Sequence, residues 1–351
     1  ALKYATNPLP GRPGVCRPLG GKIVAHLRGV LGGMAVGFGV LALALSLAAP
    51  TSAAPPASGD WNVTGTEAYA DQTITLGNVT VAITGDLTFN NVTLVLPFHA
   101  ALDIQGRAVF RNSTVRGETW KLWLRGTVEF TDDTLVNPTF GAVAVETSAL
   151  VLERNLWNCS AGAGTVAVRR AVDFRNQTLE PGCVLSYELP VLTVNKDIEI
   201  AYLTIRNTGG GTAITFNNAL HTGRVRFDLH HITVNGTGSG WGLYVDAASP
   251  STSYTIRDNA FANTGSAAIR CDSFDGAMAI RDMTFTNVLR AFRMDGLPSG
   301  QVVATADNVT VVGTTDSILA NDMTWVIRNS TILGASPQFD AGANGHIKIY
   351  D

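Results

Sequence analysis

The 351-residue sequence has few charged side chains. Only 15% of its residues are Asp, Glu, Lys or Arg, against roughly 25% in an average soluble domain. Because 46% of the residues are hydrophobic, the chain does not have the composition of a disordered protein. It also lacks heptads and long runs of Ala, Glu, Lys and Leu, which excludes a coiled coil, and its glycines follow no collagen period. A β-rich solenoid, sandwich or barrel remains.

Acidic residues are missing from residues 1–53, which contain five basic ones. Within this segment a 16-residue apolar run, Met34–Ala49, follows Lys22 and Arg28. The run is short for a membrane span and typical of a secretory signal cleaved near Ala53, with an uncleaved amino-terminal anchor as the alternative. Either interpretation predicts an extracellular or cell-surface protein.

Without residues 1–53 the chain has 20 basic and 28 acidic residues, a net charge of −8. This balance, with no basic run, excludes a nucleic-acid partner. Membrane contact is expected only through the signal segment or a carboxyl-terminal anchor outside this sequence. The sequence leaves the oligomeric state open.

From about residue 80 onward a short pattern recurs, anchored on a Thr-like position, with steps of 20 to 29 residues. Residues six and four positions before each anchor, and one position after it, are apolar throughout. The residue two positions before it is Asn or Asp in eight of eleven repeats. The anchors are Thr93, Thr114, Thr134, Leu156, Thr178, Thr204, Thr233, Ala260, Thr284, Thr310 and Thr331.

This pattern is typical of a strand that is followed by a corner. Positions −6 and −4 share one face of a strand, and because position +1 has the opposite parity, the chain must turn between them. Asn and Asp tolerate the left-handed backbone of such a turn. A sandwich would not keep one register through eleven repeats, so we predict an all-β parallel β-helix of about 11 coils. Its inward column should contain Phe89, Phe110, Phe130 and Phe174.

The phrases Leu87–Leu94 and Val109–Val115 resemble those of the right-handed parallel β-helix superfamily, which includes pectate lyases and polygalacturonases. In particular, the chain is similar to the repeat-rich secreted surface proteins common in archaea, over about residues 61–335. The resemblance implies a single-stranded right-handed β-helix solenoid. The domain boundaries we predict are 1–53 for an upstream segment with the signal, 54–80 for a cap or first strands, 81–335 for the β-helix, and 336–351 for a further coil or a truncated end.

Only two segments of this sequence resemble the active-site motifs of polygalacturonases. They are Asp132-Asp133 and Gly345–Lys348, which lie some nine coils apart. Asp132 occupies the recurring corner position, and neighbouring strand residues point to opposite faces. The resemblance therefore implies the fold, and it assigns no catalytic residue and no cofactor.

Asp258 and Asp282 stand at equivalent corner positions, so their carboxylates should stack. Neighbouring arginines would neutralise them, or a calcium ion would, with Asp272 or Asp275 as a further ligand. His230-His231 offers a ligand or a general base but lacks a third metal ligand at suitable spacing.

Two aromatic residues beside a Gly-rich stretch, Trp241 and Tyr244, are the candidates for stacking on a sugar. The alternative is that both fill the core. If a partner exists, we expect it to be a polysaccharide or a surface glycan.

Four cysteines form no Cys-x-x-Cys pair. Cys159 and Cys183 are 24 residues apart, about one coil, and are the candidates for a disulfide, which leaves Cys271 as a buried thiol. Nine Asn-x-Ser/Thr sequons occur, five of them at corners. We expect corner asparagines to be buried in the turn and so unable to carry a glycan. The better glycosylation candidates are Asn62, Asn78, Asn158 and Asn235.

Three functions remain open: a structural or adhesin-like surface protein that binds polysaccharide, a polysaccharide lyase or glycoside hydrolase, and a self-assembling envelope component. An enzyme should show two or three outward acids, or acids with arginines, within about 10 Å in one groove. The coils containing Asp228, His230 and Asp258 are the place to look. A passive rod should show no such cluster.

Overall fold

The computed structural model describes residues 54–147, 149–160, 164–206, 208–217, 221–246, 249–296, 303–314, 316–334, 339–342 and 344–350. Over these ranges the chain is all-β and forms one parallel β-solenoid of about twelve turns. At about 4.8 Å per turn the rod is on the order of 55 Å long. The signal or anchor predicted within residues 1–53 lies outside the described residues.

Each turn has three strand positions, here called faces 1, 2 and 3 in chain order, with the recurring corner between faces 1 and 2. Strands are numbered β1–β32 along the chain. Face 1 contains β2 (Thr66–Ala70), β5 (Asp86–Asn90), β8 (Arg107–Arg111), β10 (Thr127–Thr131), β12 (Ala149–Glu153), β15 (Phe174–Arg175), β22 (Thr252–Arg257), β29 (Thr324–Arg328) and β32 (His346–Tyr350). Face 2 contains β3 (Thr73–Thr75), β6 (Thr93–Leu96), β13 (Asn155–Asn158), β16 (Gln177–Glu180), β23 (Ala260–Thr264) and β30 (Thr331–Gly334).

Face 3 contains β1 (Trp61–Val63), β4 (Val79–Val81), β7 (Ala101–Ile104), β14 (Gly164–Val168), β17 (Cys183–Tyr187), β19 (Ile214–Asn217), β21 (Leu243–Asp246), β24 (Ala267–Phe274), β26 (Arg290–Gly296), β28 (Asp316–Asn321) and β31 (Phe339–Asp340). Six longer strands continue around a corner. Those that join faces 1 and 2 are β18 (Lys196–Arg206), β20 (Val225–Gly238), β25 (Ala277–Thr286) and β27 (Val303–Thr314), and those that join faces 2 and 3 are β9 (Thr114–Leu124) and β11 (Thr134–Val145).

The corner between faces 1 and 2 is built the same way in every turn. Its residue has a positive φ of 48° to 58° in all twelve turns, beginning with Asp71. Nine of the twelve are Asn or Asp, the residues that adopt this conformation most readily. Arg154, Tyr202 and His231 adopt it as well. The corner predicted from the sequence is confirmed, and residues before 80 already carry it.

The inward column of phenylalanines is also confirmed. Phe89, Phe110, Phe130 and Phe174 are completely buried. The rings of Phe89 and Phe110 are 5.1 Å apart and those of Phe110 and Phe130 4.6 Å apart. Burying each such side chain contributes roughly 1.5–3 kcal/mol, so stacked rings of this kind account for much of the stability of a rod in which each turn contacts only its neighbours.

A polar column lies just inside the corner, and the sequence analysis missed it. The turn leaves the backbone N–H of the residue after the corner without a backbone acceptor, and a buried side chain from the next turn accepts it instead. Asp133 Oδ1 accepts from Ser113 N at 2.6 Å, and Asn155 Oδ1 accepts from Asp133 N at 2.9 Å. Asn259 Oδ1 does the same for Ile232 N at 2.7 Å. Buried polar groups are thereby paired, as they must be.

Asp133 is the ionisable member of this polar column. Burial raises its pKa to about 7, although hydrogen bonds from the backbone N–H groups of Ser113 and Thr131 oppose the change. The adjacent corner residue, Asp132, points to solvent, where a hydrogen bond from Arg154 lowers its pKa.

Cys159 and Cys183 form a disulfide between successive turns, with their Cα atoms 5.1 Å apart. Cys271 is a free, fully buried thiol, and burial raises its pKa well above the usual value. The coil spacing thus predicts the disulfide, and Cys271 is the buried thiol expected of the remaining cysteine.

Candidate functional site

A groove of about 500 Å³ lies on the outside of face 1, and most of its lining is charged. Parallel register aligns Asp173, Glu199 and Asp228 on three successive turns. The three carboxylates therefore form an outward column, with neighbouring turns about 4.8 Å apart. The groove is lined by Asp173, Arg175, Asp197, Ile198, Glu199, Arg226, Phe227, Asp228 and Thr255.

Arginines pair with each of the three carboxylates. One nitrogen of Arg175 lies 2.5 Å from both Asp173 Oδ2 and Glu199 Oε2. Arg257 donates to both oxygens of Asp228, at 3.2 and 3.0 Å. Several outward acids and arginines therefore share one groove, as expected of an enzyme, but each of the three aligned carboxylates is already paired with an arginine.

Two histidines extend the groove toward the corner. His230 lies on the outward side of face 1, yet it is only 5% exposed because neighbouring side chains cover it. Its Nε2 is 2.6 Å from Glu199 Oε1, and its Nδ1 is 2.8 Å from Nδ1 of His231. His231 is exposed, and its ring stacks on that of Tyr202, with centroids 4.8 Å apart. Glu199, His230 and His231 thus form one hydrogen-bonded chain from the groove to the corner.

The second cluster lies on face 3 and contains Trp241 and Tyr244. Both side chains are partly exposed, so neither belongs to the core. Their rings are 4.7 Å apart. The Arg270 guanidinium lies 4.3 Å from the Trp241 ring and pairs with Asp272 at 2.7 Å. Tyr244 also donates to Asp272 at 3.1 Å.

The electrostatics of this face 3 cluster follow from burial and from its ion pair. Burial, together with the nearby charges of Asp272 and Asp246, raises the pKa of Tyr244 to about 12. The pKa of Asp272 is lowered, because hydrogen bonds from Arg270 and Tyr244 outweigh its partial burial. At neutral pH the cluster therefore offers a neutral phenol, a carboxylate and a guanidinium beside two aromatic rings.

Asp258 and Asp282 occupy successive corners, as the sequence predicts. Arg257 lies 3.2 Å from Asp258, and Asp282 accepts a hydrogen bond from Asn308 at 2.7 Å. Asp272 does not join them, because it belongs to face 3. No group of three or more His, Cys, Asp or Glu side chains suited to a metal ion exists in the described part of the chain.

Among the sequons, the corner asparagines prove to be exposed, so the expectation that the turn buries them is wrong. Asn91 still donates its amide to Asp71, and Asn308 donates to Asp282. Of the four candidates outside the corners, Asn62 and Asn235 are exposed and Asn158 is partly exposed. Asn78 is exposed, but its amide donates to Asp60 and its oxygen accepts from Ala101 N.

A larger groove of about 920 Å³ follows the corner between faces 3 and 1, but its two carboxylates, Asp86 and Glu146, are both paired with arginines. Arg107 pairs with Asp86 at 2.8 Å, and Arg125 pairs with Asp103 and Glu146 at 3.1 and 3.3 Å. Gly106 lies at this corner so close to backbone oxygens of the preceding turn that no Cβ would fit. We regard this groove as a by-product of a glycine-lined corner.

The described residues contain no helix long and apolar enough to cross a membrane.

The stacked register, the repeated corner and the continuous core define the molecule as a parallel β-solenoid. Comparisons with protein-family models, with curated proteins and with solved structures found no match. Function must therefore be inferred from the two outward clusters.

Proposed function

We propose that the protein is a secreted or cell-surface solenoid that binds polysaccharide through the face 3 cluster around Trp241 and Tyr244. The supporting observation is that both rings lie outside the core, with Arg270 and Asp272 beside them. A sugar ring stacks on aromatic faces through its C–H groups, while its hydroxyls need hydrogen-bond donors and acceptors nearby. This cluster offers all of these partners.

The proposal includes export through the segment Met34–Ala49, glycosylation at accessible sequons, and membership of the right-handed, pectate-lyase-like superfamily. The parallel solenoid and its repeated corner support membership of this superfamily. The resemblance to archaeal surface proteins supports an extracellular location. Fold alone does not assign chemistry, so the surface clusters carry the argument.

Affinity electrophoresis of the full chain in gels containing neutral or uronate polysaccharides tests the proposal. We expect at least one polymer to retard the protein, and Trp241→Ala to weaken that binding at least tenfold, since stacking contributes about 0.5–1.5 kcal/mol beyond the loss of buried area. Phe98→Ala is the matched control, because Phe98 is an aromatic residue 59% exposed outside the cluster. Equal retardation of wild type and Trp241→Ala would contradict the proposed site.

A polysaccharide lyase or glycoside hydrolase is the second candidate, and the face 1 groove favours it. Since Asp173 Oδ2 and Glu199 Oε2 are both 2.5 Å from one Arg175 nitrogen, these oxygens are at most about 5 Å apart, an upper limit that only reaches the lower end of the 5–5.5 Å spacing of retaining glycosidases. Release of reducing ends from neutral and uronate polymers would show such activity. Asp173→Asn should abolish it, whereas Asp272→Asn on face 3 should not.

A further inference from the structure

Two adjacent corners carry aromatic side chains. Tyr202 has a φ of 56° and His231 a φ of 53°, where most turns use Asn or Asp. Histidine adopts this conformation more readily than most residues, but a bulky tyrosine in it is strained, and such strain is often found at functional sites. Both residues belong to the chain of contacts that begins at Glu199.

The hydrogen bonds determine where the protons lie. Glu199 also binds Arg175, so it is a carboxylate that only accepts, and His230 must donate to it from Nε2. The 2.8 Å contact between the two Nδ1 atoms contains a single proton. When both imidazoles are neutral, that proton belongs to His231, and Nε2 of this exposed imidazole then carries a lone pair.

When a proton is added to His231, the positive charge ends on His230. His231 takes the proton on Nε2 and passes the Nδ1 proton to His230, so the positive charge moves beside the Glu199 carboxylate. A base whose protonated form is stabilised by an oriented partner is the arrangement found in hydrolytic triads.

We propose that His231 is a general base for hydrolysis of an acyl ester, with His230 and Glu199 as positioning residues. His231 Nε2 takes a proton from water as the water oxygen bonds to the ester carbonyl carbon. The tetrahedral intermediate then breaks its carbon–alkoxy bond, and Nε2 returns the proton to the leaving oxygen. The products are a carboxylic acid and an alcohol, with no oxidant or reductant.

The chemistry of imidazole selects this substrate class. Cleavage of a glycosidic bond by a pair of residues uses two carboxyl groups, whereas a single imidazole base suffices for water attack on an ester. Ester hydrolysis goes beyond the proposed function, because binding of a polysaccharide requires no such base.

Charged groups surround the pair on every neighbouring strand. Arg175 and Glu199 lie on preceding turns, Asp228 lies on the same strand as His230, and Arg257 and Asp258 follow on the next turn. The phenol of Tyr202 lies against both imidazoles. Glu199 is the carboxylate in direct contact with His230, so its removal should change the pH profile.

Hydrolysis of an unactivated alkyl ester, ethyl acetate, by the full chain, followed by acid release in a pH-stat from pH 5 to 9, tests the proposal without any glycan. His231→Asn should lower the second-order rate constant at least tenfold, since general-base catalysis contributes about 10²–10⁴-fold. This variant should fold, because Asn or Asp occupies nine corners. Arg154→Asn makes the same replacement at a corner without histidines and should match wild type. Equal rates for His231→Asn and wild type would overturn the proposal.

Two further measurements separate positioning from folding. Glu199→Gln should shift the midpoint of the pH–rate profile to lower pH, because the imidazolium loses its carboxylate, and an unchanged profile would refute the relay. In ¹⁵N-histidine spectra at pH 8, His231 should show the Nδ1–H tautomer. The Nε2–H tautomer, which the free histidine side chain prefers, would refute the proton arrangement even if a variant failed to fold. A negative glycan-binding result would leave these outcomes unaffected.

Discussion

The buried carboxyl of Asp133 makes stability depend on pH in an unusual direction. Burial raises its pKa from 3.8 to about 7, so between these values the folded chain holds a proton that the unfolded chain has lost. Stability is then full below pH 3.8 and falls as the pH rises to about 7. At roughly 1.4 kcal/mol per pKa unit, the loss at pH 8 is at most about 4 kcal/mol.

Asp133→Asn should remove this dependence, and the neighbouring turns show how. Asn155 accepts from Asp133 N with its oxygen and donates its amide to Phe130 O at 3.0 Å. An asparagine at 133 can take the same position toward Ser113 N and the Phe110 carbonyl. It would leave Thr131 N without the oxygen that now accepts from it at 2.8 Å, at a cost of about 1 kcal/mol.

Urea unfolding of wild type and Asp133→Asn at pH 5 and pH 8 measures the balance. At pH 5 the wild type has already lost roughly 1.7 kcal/mol (about 1.2 pKa units), so we expect the variant to be within about 1 kcal/mol of wild type there, and to be more stable by about 3 kcal/mol at pH 8. Asp132→Asn is the control: its carboxyl is exposed and its pKa is lowered, so its effect should be the same at both pH values. An equal change for Asp133→Asn at pH 5 and 8 would refute the reasoning and show that the two N–H donors keep the carboxyl ionised.

Three other predictions concern the core, the disulfide and a buried imidazole. Phe110→Ala should lower the free energy of unfolding by about 3–5 kcal/mol in urea melts, because its ring lies between two others; a loss below about 1 kcal/mol would contradict the stacked core. The double variant Cys159→Ala, Cys183→Ala should have a free energy of unfolding about 2–4 kcal/mol lower than that of the oxidised wild type. After reduction of the wild type, the two proteins should have the same free energy of unfolding. Burial lowers the pKa of His221 below 6.5, so its contribution to the stability of the fold is present above pH 6.5 and is lost as the pH falls. Thermal melts of His221→Gln should therefore show a smaller loss of stability from pH 7 to 5 than those of the wild type. An identical loss would contradict the buried, neutral state of His221.

The repeating side chains explain why the sequence predicts the interior so well. Positions −6, −4 and +1 recur because every turn must bury the same column, and the corner recurs because every turn needs one left-handed residue. Even Tyr202 and His231, which break the Asn/Asp pattern, adopt that conformation. The ladder of backbone hydrogen bonds therefore determines the corner. The conformational preference of Asn and Asp only lowers the free-energy cost of the left-handed backbone there.

The outer surface obeys no such repetition, so its clusters could not be predicted in the same way. Coils of 20 to 29 residues differ in the loops between faces, and only the register shows that Asp173, Glu199 and Asp228 share one column. The sequence did single out His230-His231, but it offered no sign that Glu199, 31 residues earlier, lies 2.6 Å from His230. On a solenoid, residues one coil apart are neighbours. Candidate sites on such a chain should therefore be sought in aligned coils, column by column, since motifs contiguous in sequence report mainly the corner and the core.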